Sequence, residues 1–440
     1  MSKKDIANIT IIVGRLDDVF LRRCLDSLRG TFHPCAMADD AELVIAGGGL
    51  TGLLLGVACA RAGLAVAIVD RHAPAAMLGE QFDRRTSAIA YGSRNVIEAI
   101  GLWANIVADA QPILEIRVAD DRSRLFLHYD HRELEAGTPL GYIVENSVLR
   151  RRLIECISSI PNLHFLTPIE VSFVSASPHG VTATLSDGRQ IRARLVAAAD
   201  GAGSPLRRAA GIDTVEWRYP QAGIVISVQH ERPHHGVAVE HFLPAGPFAI
   251  LPMTGNHSSI VWTERAELAP RLIELSDTAF TAELVARFGD FLGAVEPIGP
   301  RWTYPLALRL AKAYIAPRLT LIGEAAHVIH PIAGQGLNLG IRDIAVLAEL
   351  LIDARRLGLD IGDEAVLRRY QQWRRFDAFA LAAVTDGLNR LFSNALPPAR
   401  IARDVGLAAV HRLPPLKRIL MRDAMGLAGE LPRLVRGQPL

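Results

Sequence analysis

The chain has 440 residues and a formal net charge of +2, with 48 lysines and arginines against 46 aspartates and glutamates. A length of this order can hold more than one domain, and the richness in small and aliphatic residues is typical of a packed α/β enzyme. The near balance of charge excludes a global field that would attract a polyanion, so nucleic-acid binding has no support.

The cysteines are Cys24, Cys35, Cys59 and Cys156, which form no CxxC pair and no cluster with histidine. This spacing argues against a zinc site, and a chain of this size does not need a disulfide scaffold. We therefore expect no metal, and reduced thiols in a cytoplasmic protein.

Residues 1–38 precede the first recognisable pattern and are interpreted as an N-terminal extension of unknown role. Its first apolar run follows Lys3 and Lys4 but is interrupted by Arg15 and Asp17. No export signal is therefore predicted.

The segment ELVIAGGGLTGLLLGVACARAGLAVAIVD, residues 42–70, predicts a strand, a turn, a helix and a second strand. Its uncharged stretch Leu43–Ala60 has the length of a membrane span. Consecutive glycines within that stretch and Arg61 directly after it favour a tight turn and a buried helix instead.

Gly47, Gly49 and Gly52 make a G-x-G-x-x-G pattern between the first strand and the helix. The first glycine allows a tight turn, the second lets a pyrophosphate approach the backbone, and the third lets helix and strand pack closely. The second strand ends at Asp70, where a carboxylate could accept a hydrogen bond from a ribose hydroxyl. The pattern predicts a dinucleotide site, and the alternative is a structural turn with a capping aspartate.

The next elements are a helix across Ser87–Gly101 and short strands around a helix at Ser147–Ser158. Alternating apolar and polar residues predict an antiparallel sheet across Val215–Thr263. A long helix is expected to end near Ala354. The remainder is mostly helical, with breaks at Pro397–Pro398 and Pro414–Pro415.

Two acidic residues stand where a predicted strand gives way to a turn, Asp200 in AADGAGSPLRR and Glu324 in LIGEAAH. Both positions suit a ligand-binding carboxylate. Both also suit an ordinary helix cap, so the two interpretations stay open.

The segment HPIAGQGLNLG, residues 330–340, carries the strongest local signal. Gly334 and Gly336 permit close approach of a ligand, and a long apolar helix is predicted from about Leu337. Amides at a helix start stabilise negative charge, such as that on a reduced flavin, although a plain glycine-rich loop is the alternative. His327 and His330 are not assigned as acid or base, because packing and capping roles are commoner.

The motifs GGGLTG with Asp70, Asp83-x-Arg85, DGAGSPLR, GEAAH and HPIAGQGLNLGIRD, in this order and spacing, resemble those of the class A flavoprotein monooxygenases. Within that class the chain is most similar to the ubiquinone-biosynthesis hydroxylases of the 2-polyprenyl-6-methoxyphenol hydroxylase type. The likeness runs from about residue 41 to residue 440 and includes TDGLNRLFSN, RDVGL and MRDAMGLAGELPRLVRG in the tail. HPIAGQGLNLG and the tail mark the ubiquinone branch.

The resemblance implies an α/β fold with a Rossmann-like FAD-binding domain assembled from discontinuous segments. An inserted, mainly antiparallel β-sheet substrate domain and a helical C-terminal region complete it. The implied ranges are 1–38 for the extension, 39–112, 140–212 and 316–356 for the FAD-binding domain, 113–139 and 213–315 for the substrate domain, and 357–440 for the C-terminal region.

The resemblance also implies a role for each matching residue. Gly47, Gly49 and Gly52 would surround the FAD pyrophosphate, and Asp70 would hold the adenosine ribose. Arg85 would lie near the pyrophosphate or the ring, with a plain surface arginine as the alternative. The acidic groups along the phosphates and ribityl chain would be Asp200 and Glu324, the latter one methylene longer than the aspartate usual in the class. The remaining cofactor-binding residues, most of them bordering the isoalloxazine, would be Pro331, Gly334, Gln335, Gly336, Leu337 and Asn338.

The implied activity is FAD-dependent hydroxylation of the aromatic ring of a polyprenylated phenol in ubiquinone biosynthesis, through a flavin hydroperoxide. The implied partners are the phenol, dioxygen, and NAD(P)H or an electron-transfer protein as electron donor. Two alternatives remain open, a flavin-dependent reductase or dehydrogenase on the same fold and a non-catalytic flavoprotein member of a quinone-synthesis complex. No catalytic residue is assigned.

The tail mixes basic residues with apolar ones such as Ile401, Val405, Leu416, Ile419 and Leu420. A basic amphipathic helix could rest on the inner face of an anionic membrane, pack on its own domain with a solvated face, or bind a partner protein. The basic positions are Arg400, Arg403, Arg412, Lys417, Arg418, Arg422, Arg433 and Arg436.

Overall fold

The computed structural model describes residues 40–79, 82–83, 85–120, 126–134, 137–392, 410 and 412–440. The chain divides into two units, Met1–Asp40 and Ala41–Leu440, and every element given below lies in the second. The N-terminal extension, the break at Pro397–Pro398 and the tail positions Arg400, Ile401, Arg403 and Val405 fall outside the described residues.

The strands of the predicted nucleotide-binding segment belong to a parallel sheet. Its strands Leu43–Ala46, Val66–Val69 and Leu195–Ala198 are fully buried and apolar, as expected where helices cover both faces of a sheet. The order is β18-β19-β12-β1-β2-β8, in which only the edge pair β18–β19 is antiparallel among the described residues. The strands are β1 (Leu43–Ala46), β2 (Val66–Val69), β8 (Leu163–Leu166), β12 (Leu195–Ala198), β18 (Ile315–Ala316) and β19 (Leu319–Leu321).

The helices follow most of the sequence predictions. They are α1 (Leu50–Arg61), α2 (Pro74–Met77), α3 (Tyr91–Ala99), α4 (Asn146–Ile157), α5 (Pro205–Ala209), α6 (Ala269–Ile273), α7 (Asp277–Phe288), α8 (Gln335–Arg356), α9 (Glu364–Phe392) and α10 (Pro414–Ala424). The uncharged stretch that begins at Leu43 is thus divided into β1, a turn and α1. Within the described ranges, no helix combines the length and apolar character needed to cross a bilayer.

A large sheet forms a second layer, with the order β20-β17-β13-β16-β15-β14-β5-β6. The predicted mainly antiparallel character is confirmed, since β14–β5 is the parallel pair among its described strands. The strands are β5 (Glu115–Asp120), β6 (Phe126–Asp130), β13 (Thr214–His230), β14 (Val237–Leu243), β15 (Gly246–Met253), β16 (His257–Arg265), β17 (Val295–Ala311) and β20 (His327–Val328).

The two faces of the large sheet are covered differently. One face, the helix-covered face, buries Phe248 and Trp262 against Phe280 and Leu284 of α7. The opposite face, named the inner face here, carries Phe242 packed on Ile332. Because side chains alternate along a strand, each strand contributes every second residue to the inner face.

Two small sheets complete the described strands. They are β9 (Val171–Ser177), β10 (Gly180–Leu185) and β11 (Gln190–Ala193), and β3 (Thr86–Ala90), β7 (Gly141–Glu145) and β4 (Gln111–Ile113). The predicted helix across Ser87–Gly101 is wrong in its first turn, because Ser87–Ala90 pairs with β7. The partners of that strand are distant in sequence, so local periodicity did not reveal it.

The C-terminal region packs on the rest of this unit through ion pairs. Arg433 bonds Asp353 of α8 at 2.5 Å, and the buried Lys417 of α10 bonds Glu133 at 2.5 Å. Pro414 occupies the first turn of α10, where the missing N–H has no cost. Pro414–Pro415 therefore begins a helix here.

Candidate functional site

The glycine turn after β1 packs against the end of β12. A Cβ at Gly47, which has φ +110°, would lie 2.3 Å from the carbonyl oxygen of Ala199, and one at Gly52 would lie 1.9 Å from the carbonyl oxygen of Gly47. At Gly49 the structure describes no atom within 4 Å of the Cβ position. Gly47 and Gly52 are therefore required by packing, whereas Gly49 borders open space.

Asp70, at the end of β2, is bound to this turn. One of its carboxylate oxygens accepts a hydrogen bond from the backbone N–H of Gly48 at 2.7 Å, and the other accepts one from the N–H of His72 at 2.7 Å. A carboxylate has about four acceptor sites, so further hydroxyl partners fit on the same group. The carboxylate thus holds the turn in place and keeps acceptor capacity for a ligand.

Asp200 lies beyond β12, beside the same turn. Its Oδ2 accepts from the N–H of Leu206 in the first turn of α5 at 3.2 Å, while the N-cap residue of that helix is Ser204. Its Oδ1 is buried and has no partner among the described residues, and burial raises the pKa of this carboxyl. A Cβ at Gly201 or Gly203 would likewise meet no described atom within 4 Å. The bond to Leu206 therefore leaves Oδ1 available to a ligand beside open space.

The third stretch reaches α1 through Thr51. A Cβ at Gly323 would lie 3.0 Å from the Thr51 side chain, and one at Gly340 of α8 would lie 3.2 Å from its hydroxyl. Glu324, directly after Gly323, is exposed. The β1–α1 turn, the turn that carries Glu324 and helix α8 therefore meet at one point.

Arg85 lies on the same side as Glu324. Asp83 bonds the Arg85 Nε at 2.9 Å, and this hydrogen bond, helped by the charge of Glu324, raises the pKa of Arg85. Burial alone would raise the pKa of Asp83, but Arg85 and Asn146 hold it below its usual value. Asp83 also bonds the buried Arg150 at 3.1 Å. The Arg85 side chain is nevertheless 55% exposed, which leaves its outer edge free for an anion.

The turn before α8 is fixed to β3. Gly334 has φ +61°, and a Cβ there would lie 2.9 Å from the Cβ of Ala88. The Asn338 amide donates to the carbonyl of Ala88 at 2.8 Å and accepts from the N–H of Ala90 at 2.9 Å. A Cβ at Gly336 would meet no atom within 4 Å in the part of the chain that the structure describes.

Helix α8 begins at Gln335, earlier than the predicted Leu337. Gln335 is buried and Leu337 and Pro331 are half-buried, so the turn is packed on one side. The first N–H groups of an α-helix have no acceptor within the helix. They favour negative charge at this end, beside the open space at Gly336.

The two histidines of this stretch differ. His327 is buried, and its Nε2 lies 2.6 Å from Asp343, which also bonds the buried Arg374 at 2.8 Å. His330 is fully buried with neither ring nitrogen bonded to any described residue, and its ring packs edge-on against Tyr219. Burial lowers the pKa of His330 to about 4, so it is neutral at physiological pH.

Sequence reasoning did not single out several residues that build the site. Thr51 and Asp343 lie inside quoted motifs, so their position was a signal that went unused. Asn146, Arg150 and Arg374 had no such signal, because they meet the site through contacts across 31 to 67 residues of sequence.

These features fit a phosphate-bearing planar cofactor such as FAD. Loops that present backbone amides border open space at four glycines, Gly49, Gly201, Gly203 and Gly336. The unpaired Oδ1 of Asp200 can accept a hydrogen bond from a ligand hydroxyl. Glycine turns at helix starts bind pyrophosphates in this way.

Comparison with known proteins agrees with this geometry. A family model described as an FAD binding domain matches residues 40–385. The ubiquinone hydroxylase UbiL of Rhodospirillum rubrum is 50% identical over 403 residues, 91% of this chain and 94% of the relative. The 3-demethoxyubiquinol 3-hydroxylase of Escherichia coli is 35% identical, over 88% of this chain and 99% of the relative. The p-nitrophenol 4-monooxygenase PnpA from Pseudomonas putida superposes with a TM-score of 0.74 at 21% identity, over 89% of this chain and 99% of that chain.

The fold, the loops around the open space and these matches place the chain among the class A FAD-dependent aromatic monooxygenases, with FAD as cofactor. Within that class, the chain belongs to the family of ubiquinone-biosynthesis hydroxylases.

Proposed function

We propose that this protein hydroxylates the aromatic ring of a polyprenylated phenol in ubiquinone biosynthesis. The proposal is supported by the convergence of the β1–α1 turn, the Gly323 turn and α8 at Thr51, with the unpartnered Oδ1 of Asp200 beside the glycine turn. The chain is also half identical to a ubiquinone hydroxylase over nearly its whole length. Dioxygen supplies the new ring oxygen, and NAD(P)H or an electron-transfer protein supplies electrons.

We assign the cofactor contacts as follows. The turn of Gly47, Gly49 and Gly52 holds the pyrophosphate, and Asp70 accepts from the adenosine ribose. Arg85 serves the pyrophosphate or the ring, and Asp200 and Glu324 serve the phosphates and the ribityl hydroxyls. The residues assigned to the turn at the isoalloxazine are Pro331, Gly334, Gln335, Gly336, Leu337 and Asn338.

The same proposal divides the chain by task. The FAD-binding part comprises 39–112, 140–212 and 316–356, and the substrate part comprises 113–139 and 213–315. The pairing of β5 with β14 supports this division, because it joins residues 115–120 to the large sheet. The C-terminal region is 357–440, and the extension is 1–38.

Bound FAD supplies the oxygen-activating chemistry, and the protein supplies position, dryness and charge. The N-terminal amides of α8 would stabilise negative charge on a reduced ring. The Asn338 side chain contributes to this stabilisation indirectly, because its hydrogen bonds to β3 fix the orientation of those amides.

Deletion of the gene and mass analysis of the accumulated quinone precursor would test the proposal. An accumulated precursor that lacks one ring oxygen is expected, and reintroduced wild-type protein should remove it. Unchanged quinone content would overturn the pathway assignment. Substrate-dependent oxygen consumption by the purified protein would exclude a reductase, and a Gly49→Ala variant that restores quinone without flavin would point to a scaffold.

We further propose that α10 holds this cytoplasmic enzyme at an anionic membrane surface. Leu416, Ile419 and Leu420 are exposed on α10, with Ile419 62% exposed, although such side chains are usually buried. Arg418 and Arg422 are exposed beside them. Apolar side chains flanked by arginines suit the boundary between acyl chains and anionic headgroups.

Helix α9 also carries exposed apolar side chains. Phe376 is 78% exposed and Phe379 is 62% exposed, one helical turn apart. Arg342 joins the two helices, bonding Asp377 at 3.1 Å and the carbonyl of Asp423 at 3.5 Å. The proposal includes this aromatic pair in the area that lipid covers.

Sedimentation with vesicles of phosphatidylcholine and phosphatidylglycerol would test this contact. Ile419→Glu should lower the bound fraction at least tenfold, because a charge enters the acyl boundary, and high salt should weaken binding of the wild type. Phe173→Glu is the control, since Phe173 is 58% exposed on β9, outside this surface. Equal binding by Ile419→Glu and the control would overturn the assignment.

A further inference from the structure

Glu240 is a carboxylate on the inner face of the large sheet. It lies between Ala238 and Phe242 in β14, and alternation along the strand puts these three side chains on the same face. Ala238 packs with Met421 in one apolar cluster, and Phe242 packs with Ile332 in another. Glu240 therefore stands between two apolar clusters that face the turn before α8.

The residues across the strands are apolar as well. Glu240 pairs with Ala249 of β15 and with Val118 of β5, and paired residues project to the same side of a sheet. Val118 packs in the same cluster as Ile332, the residue before Ala333 and Gly334 of the α8 turn. The sheet thus presents Glu240, within a mainly apolar surround, toward the turn assigned to the isoalloxazine. Asp120 of β5 lies on the same face, opposite Phe242.

Glu240 has no hydrogen-bond or ion-pair partner among the residues that the structure describes. The other acidic side chains of this end of the sheet are paired, Glu115 with Arg117 and His128, and Asp130 with Arg132. An unpaired carboxylate in an apolar site costs several kcal/mol, on the order of 1–3 for the missing bond alone. Such groups persist mainly at functional sites.

The surroundings of Glu240 are apolar, and its side chain is half-buried. Burial raises the pKa of Glu240 to about 7. The titratable groups on neighbouring elements are Asp120 of β5, Tyr129 of β6 and Lys417 of α10. Burial raises the pKa of Tyr129 to about 12, and Lys417 is bound to Glu133.

We propose that Glu240 is the catalytic base for the phenol, an inference that rests on the proposed function. Its carboxylate accepts the hydroxyl proton of the substrate when the ring is attacked. The phenol O–H bond breaks, an O–H bond forms on the carboxylate, and the electron pair stays on the phenol oxygen. That pair delocalises into the ring and makes it a better nucleophile toward the oxygen supplied from dioxygen, after which the proton is released to solvent.

The position of Glu240 suits this task for two physical reasons. An operating base is most effective when its pKa lies near the working pH, and the value of about 7 meets that condition. An apolar surround accommodates the ring and prenyl chain of the substrate, while one polar group fixes the hydroxyl. His330 is a further titratable group near the turn with no partner among the described residues, but its ring packs on Tyr219.

Kinetics of the FAD-loaded protein with 2-prenylphenol would test the assignment. Glu240→Gln should lower kcat by about 10²- to 10⁴-fold, the usual contribution of a general base, with a smaller change in KM. In the wild type, kcat/KM should rise with pH through about 7, because only the carboxylate form accepts a proton. Glu240→Gln should lose that rise, and Glu240→Asp should recover part of it.

A binding measurement separates this proposal from the proposed function. Perturbation of the flavin absorbance should report tighter binding of 2-prenylphenol than of its O-methyl ether by about tenfold, and Glu240→Leu should abolish the preference. Glu296→Gln, at an exposed position of β17, should behave as the wild type.

The outcomes are distinct. If the wild type hydroxylates the phenol and Glu240→Gln does so at the same rate, the role of Glu240 is overturned and the proposed function is not. A wild type that neither binds nor hydroxylates the phenol would overturn both proposals. Flavin content and the thermal midpoint of each variant would show that the fold is intact.

Discussion

The side chain of Asn338 takes the place of a neighbouring strand for Ala88 and Ala90. It donates to one backbone carbonyl at 2.8 Å and accepts from one backbone N–H at 2.9 Å, and Asn338 is almost fully buried. The start of α8 is thereby tied to β3, more than two hundred residues away in the sequence. The position of the flavin-facing amides depends on this link.

Asn338→Ala should therefore destabilise the protein and loosen flavin. Two buried backbone groups lose their partners, which costs about 1–3 kcal/mol each. The free energy of unfolding measured with urea should therefore fall by several kcal/mol. Asn105→Ala, at an exposed position, is the control. Unaltered stability and unaltered flavin retention in Asn338→Ala would contradict the structural role.

Substitutions at two glycines of the G-x-G-x-x-G motif should have different effects. Gly49→Ala should fold normally, because the added Cβ meets no described atom, but its Kd for FAD should rise at least tenfold, about 1.4 kcal/mol, since the Cβ occupies cofactor space. Gly52→Ala should lose several kcal/mol of stability, because its Cβ would lie 1.9 Å from a backbone oxygen. Fluorescence titration with FAD and urea unfolding measure the two effects. Tight FAD binding by Gly49→Ala would remove the turn from the proposed pyrophosphate site.

Asp343 should matter for stability more than for chemistry. Asp343→Asn leaves the buried Arg374 without its full counter-charge, which typically costs about 3–5 kcal/mol. The pair Asp343→Leu with Arg374→Met should recover much of that loss, since no buried charge remains. His327→Gln should keep kcat per bound flavin near that of the wild type. A large fall in that ratio would show that His327 takes part in the reaction.

Glu240 should make the protein less stable as the pH rises. Its pKa is about 7 in the folded protein against an ordinary 4.5, so the unfolded chain gives up the proton first. Below pH 4.5 the wild type and Glu240→Gln should be equally stable as far as this group is concerned. Between pH 4.5 and pH 7 the wild type should become less stable than Glu240→Gln. Above pH 7 the difference in unfolding free energy should level off, at a value on the order of 3 kcal/mol. Thermal midpoints across this range, with Glu296→Gln as control, measure the effect, and a pH-independent difference would contradict a desolvated carboxyl.

The sequence determined the elements whose signals are local. The turn at Gly47 and Gly52, the strands on either side of α1 and the presence of α8 followed from glycine spacing and apolar periodicity, because steric limits and side-chain alternation act over a few residues. The strand at Ser87–Ala90 escaped prediction because its pairing partners are distant.

The tertiary structure decided which polar groups are used for packing and which are left for chemistry. Asn338 and His327 lie in the most distinctive stretch of the sequence, yet their side chains hold backbone and buried charge. Glu240 carries no motif and is left without a partner in the described structure, within an apolar surround. The reason is that desolvation and hydrogen-bond satisfaction depend on every neighbour in space, and most of those neighbours are remote along the chain.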